Sequence, residues 1–501
     1  MTSDIFSDTL CAMRICSVMI LFSLLVGCRD LVENDDTAVA VVDSFSHRVG
    51  CSNFSSPFIG VEMVDSPSAL IPRLDWVAEE PLTPILVVET EDGRHRETPG
   101  ESAPSEQGSV YVFGAPAQQS AQALLAVDTE EGRFCSQAFT YQMASLSTAV
   151  PEITLSSYDP SQAEGGFTLA HLITEVDHFV VIFDELGRFV WNLNVGEKGG
   201  IARVVAGLDR QSILHLRWAP TAEVDGYIYR RGLDGSLLEE IPVLGIHTDF
   251  VELPDGRYGG LGWEVRSTTN AEGITRYLLA DTLLIISASG QTEVLWSAFE
   301  HFEKQDSIFE SEAGQTIEAP LDWSHANGLD YSVEEDAFFI TLAGVNSVVR
   351  VAAETGEQVW RLSMENGDFD IHDPVVWGPH SVQSLGEDRI LLFNRNLSQN
   401  GELPDEAERC SEAREIALYP EEREVETIWT YGSDDCLWVL YFGEAHRLEG
   451  GNTQVIFSSL GQIDEATPLG ETVWRINTDV GAALGFGDRV SRFRLDSIDP
   501  Q

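Results

Sequence analysis

Residues 184–193 read DELGRFVWNL: an acidic turn closed by Gly187, a few strand-forming residues, and then Trp191. The phrase returns as ASGQTEVLWSAF at 288–299 with Trp296, as ETGEQVWRL at 354–362 with Trp360 and as LGETVWRI at 469–476 with Trp474. Two degenerate copies, GLDGSLLEEIPV at 232–243 without a Trp and PEEREVETIWTY at 420–431 with Trp429, bring the number to six. The intervals run at roughly 45–70 residues, the scale of a four-stranded propeller blade with inserted loops. Radial repetition of short sheets removes exposed strand edges and leaves a central channel. The expectation is an all-β chain with a six-bladed β-propeller over 151–492.

A second phrase falls between these copies, in LPDGRYGGLGWEV, EEDAFFITLAG, GEDRILLFNRN and EGGNTQVIFSS, each reading as strand, acidic or glycine turn, strand. A helical period is suggested only over 405–416. Before the repeats, short apolar stretches broken by Pro, Gly and Ser (PILVVETEDG, SVYVFGAP, ALLAVDTEEGRF) suggest a small β-sandwich over 46–150, with a long polar loop at 94–107. Nothing in that unit resembles a chemical site.

The chain has 501 residues, and 82 acidic against 30 basic side chains give a net charge of −52. Such a field repels nucleic acid and anionic headgroups, so neither is expected as a partner. Asp368, Asp370 and Asp373 cluster in GDFDIHD, but their spacing is not that of an EF-hand loop. The apolar run from Ile15 to Val26 is too short to span a bilayer and has the length of a signal-peptide core. It ends in Leu25-Val26-Gly27-Cys28, which resembles the lipobox of bacterial lipoproteins, with Cys28 as the lipid-bearing residue. The expectation is a signal peptide at 1–28, a polar tether at 29–45, and a lipid-anchored protein on the periplasmic face of the outer membrane or at the cell surface. No later segment is apolar enough to cross a membrane. Once the leader is gone, Cys51, Cys135, Cys410 and Cys436 remain besides Cys28, an even number that suggests two disulfides in an oxidising compartment. Three pairings are open; Cys51–Cys135 and Cys410–Cys436 keep each bond within one unit. Metal binding by these cysteines is not expected, because no two stand at C-x-x-C spacing.

Histidine precedes the second phrase four times: His247 in HTDFVELPDGRY, His325 in HANGLDYSVEEDAFF, His380 in HSVQSLGEDRILL and His446 in HRLEGGNTQVI. Equivalent positions of a propeller lie on a ring, so residues distant in sequence converge there. Imidazole acts as nucleophile, base or donor near neutral pH, which makes such a ring a candidate reaction centre.

The stretch Asp322-Trp323-Ser324-His325-Ala326-Asn327-Gly328-Leu329-Asp330-Tyr331, followed by Glu335-Asp336 and AFFITL, is similar to the D-W-x-H-x-N-x-x-x-Y…D-D signature of bacterial arylsulfate sulfotransferases. HTDFVELPDG, the segment around His380 and GEAHRLEGGNTQVIFSS resemble further segments of that family, over about residues 155–490. The resemblance implies a periplasmic enzyme with an N-terminal β-sandwich and a six-bladed propeller. It further implies ping-pong transfer of a sulfuryl group from a phenolic sulfate donor to a phenol acceptor, without a cofactor. His380 matches the nucleophile that forms a sulfohistidine. His247, His325 and Asn327 match residues that hold the sulfate oxygens or protonate the phenol oxygen, and His446 falls in the final matching segment as a candidate substrate contact.

One departure stands out. The family places an arginine after the strand that follows the second histidine, and Ala343 occupies that position here. Arginine offers a two-pronged donor to sulfate oxygens and alanine offers none. The segment after His380 reads FNRN where the family has Asp-Asn-Gly, so Arg395 is the candidate for the missing charge. Two alternatives remain open: a catalytically inactive propeller binding a ligand or protein at the envelope, and metal-assisted hydrolysis by the histidine ring, although no metal ligand set is assigned. No glycine-rich phosphate loop or redox motif calls for a cofactor.

Overall fold

The computed structural model describes residues 44–495 except 53–55, 66–70, 144–149, 175–176, 197–199, 271–272, 304–315, 372–374, 397–409, 433–435 and 479–483. The expected leader and lipid-bearing Cys28 lie outside the described residues, as does Asp373 of the acidic cluster. The chain is nearly all β. Among the described residues no helix is long and apolar enough to cross a membrane.

Among the described residues six sheets occupy the repeat region, each built on four antiparallel strands. The second runs Ile201–Ala206, Ser212–Arg217, Asp225–Gly232 and Leu237–Leu244, and the third Ile246–Glu252, Tyr258–Thr269, Thr275–Ile286 and Thr292–Ser297. The fourth runs Ala326–Ser332, Ala337–Leu342, Ser347–Ala352 and Gln358–Ser363, and the fifth Pro379–Gly386, Arg389–Asn394, Glu412–Tyr419 and Glu424–Tyr431. The sixth begins Glu444–Arg447, Thr453–Phe457, Gln462–Ala466 and Thr472–Thr478 and gains Ile153–Tyr158 at its outer edge. The first sheet is closed by the far end of the chain: Leu484–Val490 pairs with Phe167–Ile173, which is followed by His178–Phe183 and Phe189–Gly196. Both ends of the repeat region are thereby tied into neighbouring sheets.

The tryptophan phrase marks the last strand of each sheet. Gly187, Gly290, Gly356 and Gly470 turn the chain at φ between 71° and 82°, a region that only glycine enters without strain. Trp191, Trp296, Trp360 and Trp474 then bury their rings. The first strands are joined to one another by side chains that accept a backbone N–H from the next sheet. Asp249 accepts from Leu329 at 2.8 Å, Asp330 from Ser384 at 2.7 Å, Gln383 from Arg447 at 2.7 Å, Glu444 from Gly487 at 2.8 Å and Asp488 from Ala206 at 3.2 Å. The circuit closes where Arg203 of the second sheet meets Asp249 of the third at 3.4 Å. Each of the five side-chain acceptors satisfies a backbone donor that strand pairing within a sheet leaves over.

Two sequence expectations are corrected here. Within 405–416 the described part is strand rather than helix, because Glu412–Tyr419 is paired on both sides and cross-strand pairing overrides a short local period. The polar stretch 94–107 contains His95–Pro99 and the start of Ser105–Tyr111, which are edge strands; their polarity reflects solvent on an edge. They belong to two sheets before the repeats, one of three strands and one of five. One apolar cluster runs from Leu74 and Leu86 of these sheets to Leu169 and Ile182 of the first repeat sheet. Disulfides join Cys51 to Cys135 and Cys410 to Cys436.

Candidate active site

A cavity of about 570 Å³ opens where the first strands of the third, fourth and fifth sheets begin. It is lined by His247, His325, Asn327, His380 and Arg395, by Asp281 and Asp322, and by the aromatic rings of Trp218, Trp263, Tyr441 and Phe442. The local device that aims these side chains is a break in strand register. Ala326 pairs with Leu342 but Gly328 with Thr341, which leaves Asn327 as an extra residue. Pro379 pairs with Asn394 but Ser381 with Phe393, which leaves His380 extra. A third break follows His247, where Thr248 takes φ of 51°. Such bulges re-aim side chains out of the alternating pattern.

His446 is the exception among the four histidines. It pairs with Gln454 in an unbroken register, and no bulge precedes it. Its ring therefore bonds to Glu444, beside Arg203, and it does not line the cavity. Repeat position in the sequence and register in the sheet are not the same thing here.

His380 is 3% exposed. Burial pushes its pKa well below the ordinary value, and the charges of Arg395 and His325 push the same way, so the ring is neutral at neutral pH. Its carbonyl accepts from Thr341 Oγ1 at 3.2 Å, and Phe442 packs edge-on at 5.9 Å. Gly328 permits the close approach of the fourth and fifth sheets: a β-carbon there would stand 2.6 Å from the His380 carbonyl oxygen.

His247 is stacked on Trp263 at 4.5 Å, and its Nδ1 lies 2.9 Å from Thr248 Oγ1. Nε2 lies 3.0 Å from Asp281 Oδ1, close enough for an ion pair though off the line of a good hydrogen bond. Burial pushes the Asp281 carboxyl up, but His247, Ser324 and the Ala326 N–H outweigh it and hold it below the usual range. His325 has φ of 51° and bonds through Nδ1 to Asp322 Oδ2 at 2.5 Å. Burial lowers its pKa, but the Asp322 carboxylate raises it further, and the net shift is upward. The two rings are thus set apart, His380 neutral and His325 inclined to hold its proton.

Asn327 is 4% exposed, and its Nδ2 has no hydrogen-bond partner among the described residues. Arg395 is also buried. Its Nε donates to Gly378 O and its Nη1 to Leu440 O, both at 3.2 Å, and no carboxylate pairs with it among the described residues. Burial lowers its pKa to about 10, which leaves it charged at neutral pH. Ala343 is fully buried, and its N–H bonds to the His325 carbonyl at 2.9 Å.

Asp281, Trp218, Trp263, Tyr441 and Phe442 were not singled out from sequence; nothing in their spacing marks them. Asp322 was within reach, since it stands three residues before His325 in the quoted signature. Among the described residues no group of three or more His, Cys, Asp or Glu is arranged to hold a metal ion.

A neutral buried histidine, a second one paired with a carboxylate, and a buried guanidinium thus surround one aromatic-walled cavity on an all-β scaffold. The chain belongs to the arylsulfotransferase (ASST) family, whose model matches residues 152–480. No curated protein matches the chain. Solved structures that resemble it include the periplasmic gluconolactonase of Pseudomonas aeruginosa, at 12% identity and TM-score 0.36, over 64% of this chain and 97% of that one. An auxiliary nutrient-binding protein from Bacteroides ovatus is 8% identical at TM-score 0.35, over 83% and 87%. Virginiamycin B lyase from Staphylococcus aureus is 10% identical at TM-score 0.30, over 65% and 99%.

Proposed function

We propose that this protein transfers a sulfuryl group from an aryl sulfate to a phenol through a covalent sulfohistidine at His380. The observation that carries the reading is the single cavity shared by His247, His325, His380, Asn327 and Arg395. A neutral imidazole has the lone pair a nucleophile needs. Negative charge spreads over the sulfuryl oxygens during transfer, and the Asn327 amide and Arg395 guanidinium are donors buried beside the place where it develops. The aromatic walls suit a phenyl ring on either partner. Arg395 in this reading supplies the charge that Ala343 lacks. It thereby weakens the main ground for an inactive, ligand-binding protein. His446 is assigned no contact with substrate.

The reading extends to the scaffold. The six repeat sheets are six propeller blades, and the two preceding sheets form a β-sandwich. The protein is exported and held by lipid on Cys28 at the cell envelope, a placement that suits its two disulfides. Membrane contact is through that lipid alone.

The test is direct. Purified protein given 4-nitrophenyl sulfate releases nitrophenol in step with added phenol acceptor, and His380→Ala abolishes the release. With a sulfur-labelled donor and no acceptor, label stays on wild-type protein and not on the variant. Folded wild-type protein that releases no nitrophenol overturns the proposal.

A further inference from the structure

The two carboxylate–histidine pairs of the cavity are built differently. His247 is 2% exposed and engaged on both sides, with Nδ1 at Thr248 and Nε2 toward Asp281. Asp281 in turn accepts from Ser324 Oγ and from the Ala326 N–H at 2.8 Å, so that pair is locked into the scaffold. The side chains of His325 and Asp322 are more open to the cavity. The His325 side chain keeps 40% of its surface accessible and Asp322 keeps 34%, and both line the cavity. The second Asp322 oxygen, Oδ1, has no hydrogen-bond partner among the described residues.

The backbone holds this pair firmly. Leu321–Asp322 forms a short parallel pairing with Leu278 and Leu279 of the third sheet, and the Trp323 N–H bonds to Leu279 O at 3.2 Å. On the other side the Ala343 and Gly344 N–H groups bond to the carbonyls of His325 and Ser324 at 2.9 and 3.0 Å. Gly344 is the residue that lets this turn close, because a β-carbon there would lie 2.3 Å from the Trp323 carbonyl oxygen. The left-handed backbone of His325 is therefore fixed from both sides, as expected where a strained residue serves a site.

We infer that Asp322 is a positioning residue: it fixes Nδ1 of His325, so that the opposite ring nitrogen, Nε2, carries the proton delivered to the departing aryl oxygen. This rests on the sulfuryl-transfer reading above and assigns the proton step to His325 rather than His247. In the first half-reaction a ring nitrogen of His380 forms the N–S bond while the bond from sulfur to the aryl oxygen breaks. The electron pair of that bond goes to the aryl oxygen, which takes the proton from His325. The products are a free phenol, N-sulfo-His380 and neutral His325. In the second half-reaction His325 takes the proton of the acceptor phenol as its oxygen attacks sulfur, and the site is reset. The charged and titratable groups facing His325 are Asp322, Asp281, Arg395 and His380. Asp322 and Asp281 favour the proton there, whereas the Arg395 charge opposes it.

The experiment compares wild type and Asp322→Asn on a series of aryl sulfates whose phenols run from nitrophenol to unsubstituted phenol. A nitrophenolate leaves without help and phenolate does not. Loss of the proton donor should therefore lower kcat/KM for the donor, which reports the first half-reaction alone, by about 100-fold on phenyl sulfate, a typical general-acid effect, and by only about threefold on the nitrophenyl ester. A plot of log kcat/KM for the donor against leaving-group pKa steepens. Asp322→Glu, which keeps the carboxylate, gives a smaller change of the same sign and serves if the Asn variant does not fold. A folded variant with wild-type slope, or with equal loss across the series, overturns the inference. Failure of wild type on every ester would instead overturn the sulfuryl-transfer reading itself.

Discussion

Arg395 donates from Nε to the carbonyl of Gly378 at 3.2 Å, two residues before His380. The buried cation is thereby bolted to the strand that presents the proposed nucleophile. Its second anchor, Leu440 O, belongs to the segment that leads to Phe442, which packs on the His380 ring. A guanidinium held by two backbone carbonyls keeps a fixed direction, which is what a charge clamp on a transferring group requires.

Replacing Arg395 by Ala is expected to lower kcat/KM for sulfuryl transfer by about 10²–10³, the scale measured when one preorganised donor is removed. Arg395→Lys keeps the charge without the fork and recovers only part. The sharper comparison is Ala343→Arg in the Arg395→Ala background, which returns the cation to the family's own position. Activity above that of Arg395→Ala alone is the expected result. If Arg395→Ala transfers sulfuryl groups at the wild-type rate, Arg395 has no part in the reaction.

The Cys410–Cys436 bond bears on the same wall of the cavity. Ser411, next to Cys410, receives the Val439 N–H on its hydroxyl at 2.9 Å and donates its own N–H to Leu437 O at 2.6 Å. The disulfide thus anchors the start of the segment that carries Leu440, Tyr441 and Phe442. Cys436→Ser is expected to raise KM for aryl sulfates severalfold and to cost about 3 kcal/mol of stability from loop-closure entropy. Cys135→Ser, which opens the longer loop to Cys51 in the N-terminal sheets, is expected to destabilise by about 1 kcal/mol more without changing KM. Steady-state kinetics and urea melts on the two variants decide this, and a KM that shifts equally in both would contradict it.

Much of this architecture is legible in the sequence because the repeated phrases report local physics. A glycine at positive φ followed by strand residues and a buried Trp is what the turn into a last strand demands, as at Gly187 and Trp191. The histidines were legible as a set, but their convergence depends on register. A one-residue bulge at His380 and another at Asn327 put those side chains in the cavity, whereas unbroken pairing at His446 keeps it beside Glu444. Bulges leave no compositional trace in a single chain. Arg395 was legible as a candidate only through the family pattern, since an arginine among so many carboxylates reads locally as a surface cation. Its burial, and the absence of a carboxylate partner among the described residues, emerge only in three dimensions. Asp281 and Trp263 sit in unremarkable strand sequence and join the site because their strands lie beside His247.

The circuit of linked first strands gives a separate prediction, on stability. Asp249 is 2% exposed. Burial raises its pKa to about 7 despite the nearby Arg203 charge, whose nearest carboxylate is Glu444. In the unfolded chain the same group releases its proton near the ordinary carboxyl value of 3.8. Between about pH 4 and pH 7 the folded state therefore binds more protons than the unfolded state, and stability from this group falls as pH rises. Asp249→Asn cannot release a proton, yet its amide oxygen can still accept the Leu329 N–H. Near pH 5, where the folded-state carboxyl is protonated and neutral, the variant is expected to match wild type to within about 1 kcal/mol, the scale of one neutral hydrogen bond. Near pH 8 it is expected to gain relative to wild type, by an amount on the order of 2–3 kcal/mol. Chemical denaturation at the two pH values measures this difference. If the gap between variant and wild type is the same at both, Asp249 ionises at its ordinary pKa and the circuit carries a full negative charge throughout.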